Sequence, residues 1–158
     1  MRRIKLDKID RKILRDLQDN GRITNVELSK NAGISAPPCL RRVRALEESG
    51  YIKGYHAKLD GHALGYGLTV FALIKLVSQS EADLKKFEEE CKSLQRVREC
   101  HMLSGEVDFL LKIVATDWDS YQQFLTEKLT ALENVTSVKT MPLVRSAKDV
   151  PGVPVKVD

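Results

Sequence analysis

Apolar positions in the first fifty residues recur at helical spacing, and the polar residues between them mark where each helix starts and stops. Leu6, Ile9, Ile13 and Leu17 fall on one side of a predicted helix, with Asp7 as its cap and Asn20-Gly21 as its end. Thr24 followed by Glu27 is a capping-box pattern: the hydroxyl accepts from an orphan amide and the glutamate reaches back to the cap. Val26, Leu28 and Ala32 supply apolar contacts for this second helix, and Gly33 stops it where a positive φ is needed. Ser35 caps a third helix. Pro37 and Pro38 fit only its first turn, where backbone amides have no intrahelical acceptor. Leu40, Val43 and Leu46 give this helix a buried stripe, and Gly50 ends it. The last two helices have helix-turn-helix spacing, with Arg41, Arg42 and Arg44 off the apolar stripe.

Beyond residue 50 the periodicity changes. Glycines at 50, 54, 61, 65 and 67 punctuate a connection, within which Tyr51, Ile52, Tyr55, His56 and Leu59 predict a short strand. Leu68 to Val77 is an apolar, β-rich run, and Leu84, Phe87, Cys91 and Leu94 mark an amphipathic helix. Val97 to Leu103 and Val107 to Thr116 read as strands flanking a turn at Ser104-Gly105. Trp118, Tyr121, Leu125, Leu129 and Leu132 mark another helix, and Val135 to Val144 a last strand. The order is βαββαβ, the split or ferredoxin-like arrangement. The chain is therefore expected to be α+β. A helix-turn-helix domain spans 1–50, a hinge strand and linker 51–66, and a ferredoxin-like domain 67–158. Its strands carry apolar residues on both faces, so the sheet face away from the helices is expected to pack on a second subunit.

Charge sharpens this division. Residues 1–60 hold 14 Lys and Arg against 8 Asp and Glu, whereas the remainder holds 12 against 14. The surplus of positive charge sits in the helical end, the footprint of a module that binds nucleic acid. The segment MRRIKLDK leads into an amphipathic helix rather than an apolar signal-peptide core, and the longest uncharged stretch, Gly61 to Ile74, is too short to span a bilayer. Cys39, Cys91 and Cys100 are odd in number and make no CxxC pair, which favours a reduced, cytoplasmic setting.

The segments Asp7-x-x-Asp10 with Ile13-Leu14, NGRITNVELS, PCLRRVRALE, GYIKGYHAKLD and SGEVDFLL together resemble the Lrp/AsnC, or feast/famine, family of transcription regulators, from about Leu6 to Val144. The resemblance implies a winged-type helix-turn-helix joined by the hinge strand to a ferredoxin-like effector domain. It also implies dimers that assemble into octamers or related rings, binding to double-stranded DNA, and an amino acid as effector. On this basis the DNA-reading helix is Ser35 to Ser49, with Ser35, Ala36, Pro37 and Pro38 at its groove-facing start, followed by Arg41, Arg42 and Arg44. An arginine in the groove pairs with guanine, whereas one at the rim contacts phosphate. Thr24 and Asn25 have two open readings, donation to a phosphate at a helix N-terminus and simple capping.

The effector signature of the family corresponds to Gly105-Glu106-Val107-Asp108. Gly105 permits close approach of a ligand carboxylate to the backbone. Asp108 either offers a counter-charge to an ammonium or caps the turn. The resemblance places Met102, Leu103, Trp118 and Thr140 around the side-chain pocket, although Met102 and Leu103 also alternate like ordinary strand core and Trp118 opens an apolar helix. Two positions depart from the pattern: Phe109 follows Asp108 where many relatives have tyrosine, and Val138-Lys139-Thr140 stands for Thr-x-Thr.

Enzymatic and metal chemistry find no support in the sequence. His56, His62 and His101 are scattered, Cys100 and His101 point to opposite faces of one strand, and no phosphate-binding glycine loop occurs. The expected protein is a nucleoid-associated DNA-binding regulator with no cofactor, metal or membrane segment. The competing class is a ligand-independent architectural protein that bends DNA.

Overall fold

The computed structural model describes residues 5–157, and the chain divides into two compact units, residues 1–58 with 148–158 and residues 59–147. In the first unit, α1 (Lys8–Asp19), α2 (Asn25–Ala32) and α3 (Ala36–Glu48) follow the expected order. Asp7 and Asp10 close a reciprocal capping box at the start of α1, and Thr24 and Glu27 do the same for α2. Gly33 adopts φ 75°, the left-handed conformation that ends α2 and begins the turn. Ile13, Leu28, Ala32, Cys39 and Leu46 form the buried core, with Val43 and Ile52 packed against it. The stripe on α3 is thus Cys39, Val43 and Leu46, not Leu40, Val43 and Leu46. Leu40 is 40% exposed. A residue turns about 100° on a helix, so moving the stripe by one position carries Leu40 onto the solvent side.

Residues 51–66 form no strand. A strand requires a partner for its ladder, and no segment of the described chain supplies one to the expected hinge strand. Tyr55 instead donates its hydroxyl to Glu47 at 2.9 Å, tying this stretch to α3. The final segment also departs from expectation, because residues 148–158 group with the helical unit rather than with the sheet. The Gln18 amide on α1 pairs with both backbone groups of Val153, at 2.8 and 3.0 Å, and Lys58 meets Asp149 at 2.7 Å. The ion pair is exposed, so the side-chain-to-backbone pairing and the half-buried Val155 and Val157 give the tail its seat.

The second unit contains β1 (Leu68–Leu76), α4 (Glu81–Ser93), β2 (Val97–Met102), β3 (Phe109–Ala115), α5 (Trp118–Phe124) and β4 (Val135–Pro142). The sheet is antiparallel with strand order β2-β3-β1-β4, the ferredoxin-like topology expected from the βαββαβ pattern. Alternation decides its faces. Val70, Ala72, Ile74 and Leu76 on β1 and Phe109, Leu111, Ile113 and Ala115 on β3 are buried with Phe87, Tyr121, Phe124 and Leu129 from the helical layer. The intervening Phe71, Leu73, Leu110 and Val114 are only half-buried on the opposite face. The last helix runs on from α5 into a π-turn at Leu125–Leu129, which buries Leu129.

Candidate DNA interface and effector turn

The helix-turn-helix presents α3 with two kinds of arginine. Arg41 and Arg44 are exposed and make no hydrogen bond or ion pair among the described residues. Arg42 differs: its Nη1 lies 2.7 Å from Asp7 Oδ2 and 2.7 Å from Asp10 Oδ1. Asp10 is buried, and its other oxygen accepts from the Asp7 amide at 3.0 Å. The Asp10 amide donates to Asp7, and this bond, with Arg42 beside it, holds the Asp7 carboxyl below its ordinary range. The guanidinium is held on its side by Asp10 and Asp7, which raise its pKa. Arg42 therefore joins α3 to the start of α1, and its charge is already neutralised within the unit. This engagement was not visible in the sequence, and it sets Arg42 apart from Arg41 and Arg44.

Around the turn, Ser35 and Pro37 are exposed while Ala36 and Pro38 are half-buried. Ser35 makes no side-chain capping bond, so its hydroxyl is free among the described residues. Thr24 is engaged: its hydroxyl accepts from the Glu27 amide and bonds the Glu27 carboxylate at 2.9 Å. The Thr24 hydroxyl and amide together hold the Glu27 carboxyl below its ordinary range. Asn25 donates from Nδ2 to the carbonyl of Ala36 at 2.9 Å, which stitches α2 to the first turn of α3, while its Oδ1 is buried without a partner. Both residues serve the geometry of the motif.

The expected effector residues fall into two groups. Met102, Leu103, Gly105 and Asp108 gather at the β2–β3 turn. Met102 and Leu103 are exposed, at 59% and 38%, as ordinary strand core would not be. Gly105 has φ 148° and open space where a side chain would stand, and neither its amide nor that of Glu106 is hydrogen-bonded among the described residues. Asp108, by contrast, is buried. Its Oδ2 accepts from the Leu76 amide and its Oδ1 from Gln79 Nε2, each at 2.7 Å. Its backbone is held as well, the amide donating to Ile74 and the carbonyl accepting from Leu103. The carboxylate thus ties the turn to the end of β1, the contacts expected of the capping alternative.

Trp118 and Thr140 lie elsewhere. Thr140 shares a 2.7 Å hydrogen bond with the buried Tyr121, whose ring sits 5.5 Å from that of Trp118. Trp118 follows the Ala115 end of β3, whereas the effector turn precedes its Phe109 end. The strand between them is seven residues long, so its ends lie roughly 20 Å apart. Sequence reasoning missed Gln79 and Tyr121, because neither stands in a motif and both act through contacts distant along the chain. Asp7 and Asp10 were visible as a pair, but their arginine partner lies more than thirty positions away.

A basic helix-turn-helix followed by an antiparallel ferredoxin-like unit matches two family descriptions. Residues 6–53 match a winged helix-turn-helix DNA-binding model, and residues 69–153 match the Lrp/AsnC ligand binding domain. The chain belongs to the Lrp/AsnC family. A leucine-responsive regulatory protein from Rhizobium meliloti is 57% identical over 147 residues, covering 93% of this chain and 94% of the relative. That of Escherichia coli is 43% identical over 143 residues, covering 90% and 87%. Among solved structures, a transcriptional regulator from Neisseria meningitidis in complex with L-Met superposes with a TM-score of 0.90 at 33% identity, covering 95% of this chain and 97% of that one. An AsnC family regulator from Agrobacterium tumefaciens gives 0.87 at 34%, covering 94% and 97%. This Lrp/AsnC protein is a transcriptional regulator, not an enzyme, with a DNA-binding and a ligand-binding unit. Among its described residues no helix is long and apolar enough to cross a membrane, and no cluster of side chains has the makings of a metal site.

Proposed function

We propose that this regulator docks the exposed start of α3 in the major groove of double-stranded DNA, with Arg41 and Arg44 supplying the charge and Arg42 bracing the helix from behind. The observation that carries this is the contrast between the two exposed arginines without partners and the one held by Asp7 and Asp10. Ser35, Ala36 and Pro37 stand at the leading end of the helix, where base edges are read. Thr24 and Asn25 support the turn and make no base contact.

The effector is an apolar amino acid bound at the β2–β3 turn. The unpaired amides of Gly105 and Glu106 suit a carboxylate, and the exposed Met102 and Leu103 suit an aliphatic or thioether side chain. The Neisseria relative holds L-Met, and curated relatives are named leucine-responsive. Trp118 lies too far along the sheet from the turn, and Thr140 stands on the opposite edge strand, so they join the pocket from a second protomer. Dimers form through the half-covered sheet face carrying Phe71 and Leu73, and the pocket is completed where dimers meet in an octamer or related ring. Such a protein works in the cytoplasm, on the nucleoid.

The test is calorimetric titration of L-leucine and L-methionine into the full chain, with sedimentation before and after. One of them should bind and shift the assembly, and Gly105→Val should abolish that binding while leaving the fold intact. If neither binds and neither raises the unfolding temperature, the effector reading fails and the architectural one takes its place.

A further inference from the structure

We propose that Cys91 and Cys100 form a dithiol that hydroperoxides oxidise to an intramolecular disulfide and that small thiols restore. Cys91 lies near the end of α4 and Cys100 in the middle of the edge strand β2, yet both line one cavity of about 460 Å³ with Glu88, Lys92, Val97 and Glu99. Cys91 is buried and Cys100 half-buried, so the peroxide meets Cys100 first. Cys100 packs against the buried cluster that contains Cys91, so the two thiols are neighbours where α4 meets β2. The neighbouring Cys100 and burial hold Cys91 protonated, and Cys91 in turn draws the Cys100 pKa down, against its partial burial and Glu88 and with help from Lys92. A thiolate with a protonated neighbour is the arrangement in which one sulfur attacks and the other resolves.

The chemistry balances in two steps. The Cys100 thiolate attacks the outer oxygen of the hydroperoxide, breaking the O–O bond. Cys100 becomes a sulfenic acid and an alcohol, or water from hydrogen peroxide, departs after taking up a proton. The Cys91 sulfur then attacks the Cys100 sulfur, and its own proton leaves with the hydroxyl as water. The peroxide has gained two electrons and the thiol pair has lost them. Two equivalents of a small thiol reverse the change and are themselves oxidised to a disulfide. The new bond clamps α4 to β2, the strand leading into the β2–β3 turn. Cys39 is an internal control, because it is fully buried in the other unit and burial raises its pKa.

The experiment treats the reduced full-length protein with hydrogen peroxide, traps remaining thiols under denaturing conditions and maps peptides without reduction. The expected result is one cross-link joining Cys91 to Cys100 within a chain, with Cys39 alkylated, and full recovery on adding dithiothreitol. In Cys91→Ala, Cys100 should stop at the sulfenic acid and be captured by dimedone, whereas Cys100→Ala should leave Cys91 unoxidised. Should either variant misfold, native alkylation of the wild type decides, since Cys100 should react more than about ten-fold faster than Cys39. Equal reactivity of the two, oxidation of Cys39 first, or disulfides only between chains would overturn the assignment.

Discussion

Replacing Arg42 by alanine should damage stability and spare DNA contact, the opposite of what its place in a basic helix suggests. The guanidinium is one-third exposed and binds two carboxylates: that of Asp7 is half exposed, and that of Asp10 is 9% exposed. The exposed arm contributes little, about 0.5 kcal/mol. The arm to Asp10 is a charged hydrogen bond to a buried group, on the order of 1.5–3 kcal/mol. Removing Arg42 leaves that carboxylate with only the Asp7 amide, which moderates the loss. The total comes to about 2 kcal/mol, a fall in melting temperature on the order of 10 °C for a unit of this size. Thermal unfolding followed by circular dichroism measures it, and Arg42→Ala combined with Asp10→Ala should be markedly non-additive. Fluorescence anisotropy with duplex DNA, taken well below the transition, should give Arg42→Ala an unaltered affinity and salt slope. Arg41→Ala should do the reverse, keeping its melting temperature while a lost phosphate contact lowers the salt slope by about one. An Arg42→Ala protein that melts like wild type but binds DNA weakly would refute the bracing role and return Arg42 to the groove.

Asp108→Ala should cost about 1–3 kcal/mol in urea unfolding, because it strips the Leu76 amide of its acceptor. Asp108→Asn should be close to wild type, its carbonyl accepting from Leu76 while the Gln79 amide turns over; an Asp108→Ala protein of full stability that no longer binds an amino acid would reinstate it as a ligand residue. Acidification should weaken the fold through Asp7, Glu27, Asp83 and Asp117, whose carboxyls are all held below their ordinary values of 3.8 to 4.5 by the bonds they accept. Depressed folded pKa values stabilise above the unfolded values, so that contribution is complete at neutral pH and is lost as pH falls below about 4. Equilibrium unfolding between pH 7 and 3 checks the direction, and stability that rises on acidification would contradict it.

The local half of the fold could be read directly from the chain. Both capping boxes, the glycine at 33 and the prolines in the first turn of α3 act within a few residues of one another, and each stands where its chemistry requires. The βαββαβ order was equally plain, because alternation and helical spacing are properties of neighbouring positions. Leu40 and Cys39 were harder to distinguish: both are apolar and adjacent, and only the angle at which α3 meets α1 and α2 selects the cysteine. The partners of Arg42 and Asp108 were not legible for a related reason: each lies far away in sequence, at Asp7 and Asp10 or at Leu76 and Gln79. The candidate effector residues were named individually, but their separation, with Trp118 beyond the far end of β3 and Thr140 on the opposite edge strand, depends on strand order and register, which one sequence does not encode locally.

The tail at 148–158 makes the DNA-binding unit discontinuous. Its two pieces flank the ligand-binding unit, which is thus an insertion, joined at 58–59 and again at 147–148. During synthesis the helix-turn-helix emerges first, yet Gln18 must wait for Val153 to be made before its amide is paired. Completion of the reader head therefore depends on a segment made only after the whole sheet unit. A fragment cut after residue 60 would hold α1, α2 and α3 and lack the tail that Gln18 secures. Its weakness on DNA would report an unfinished domain as much as a missing partner subunit.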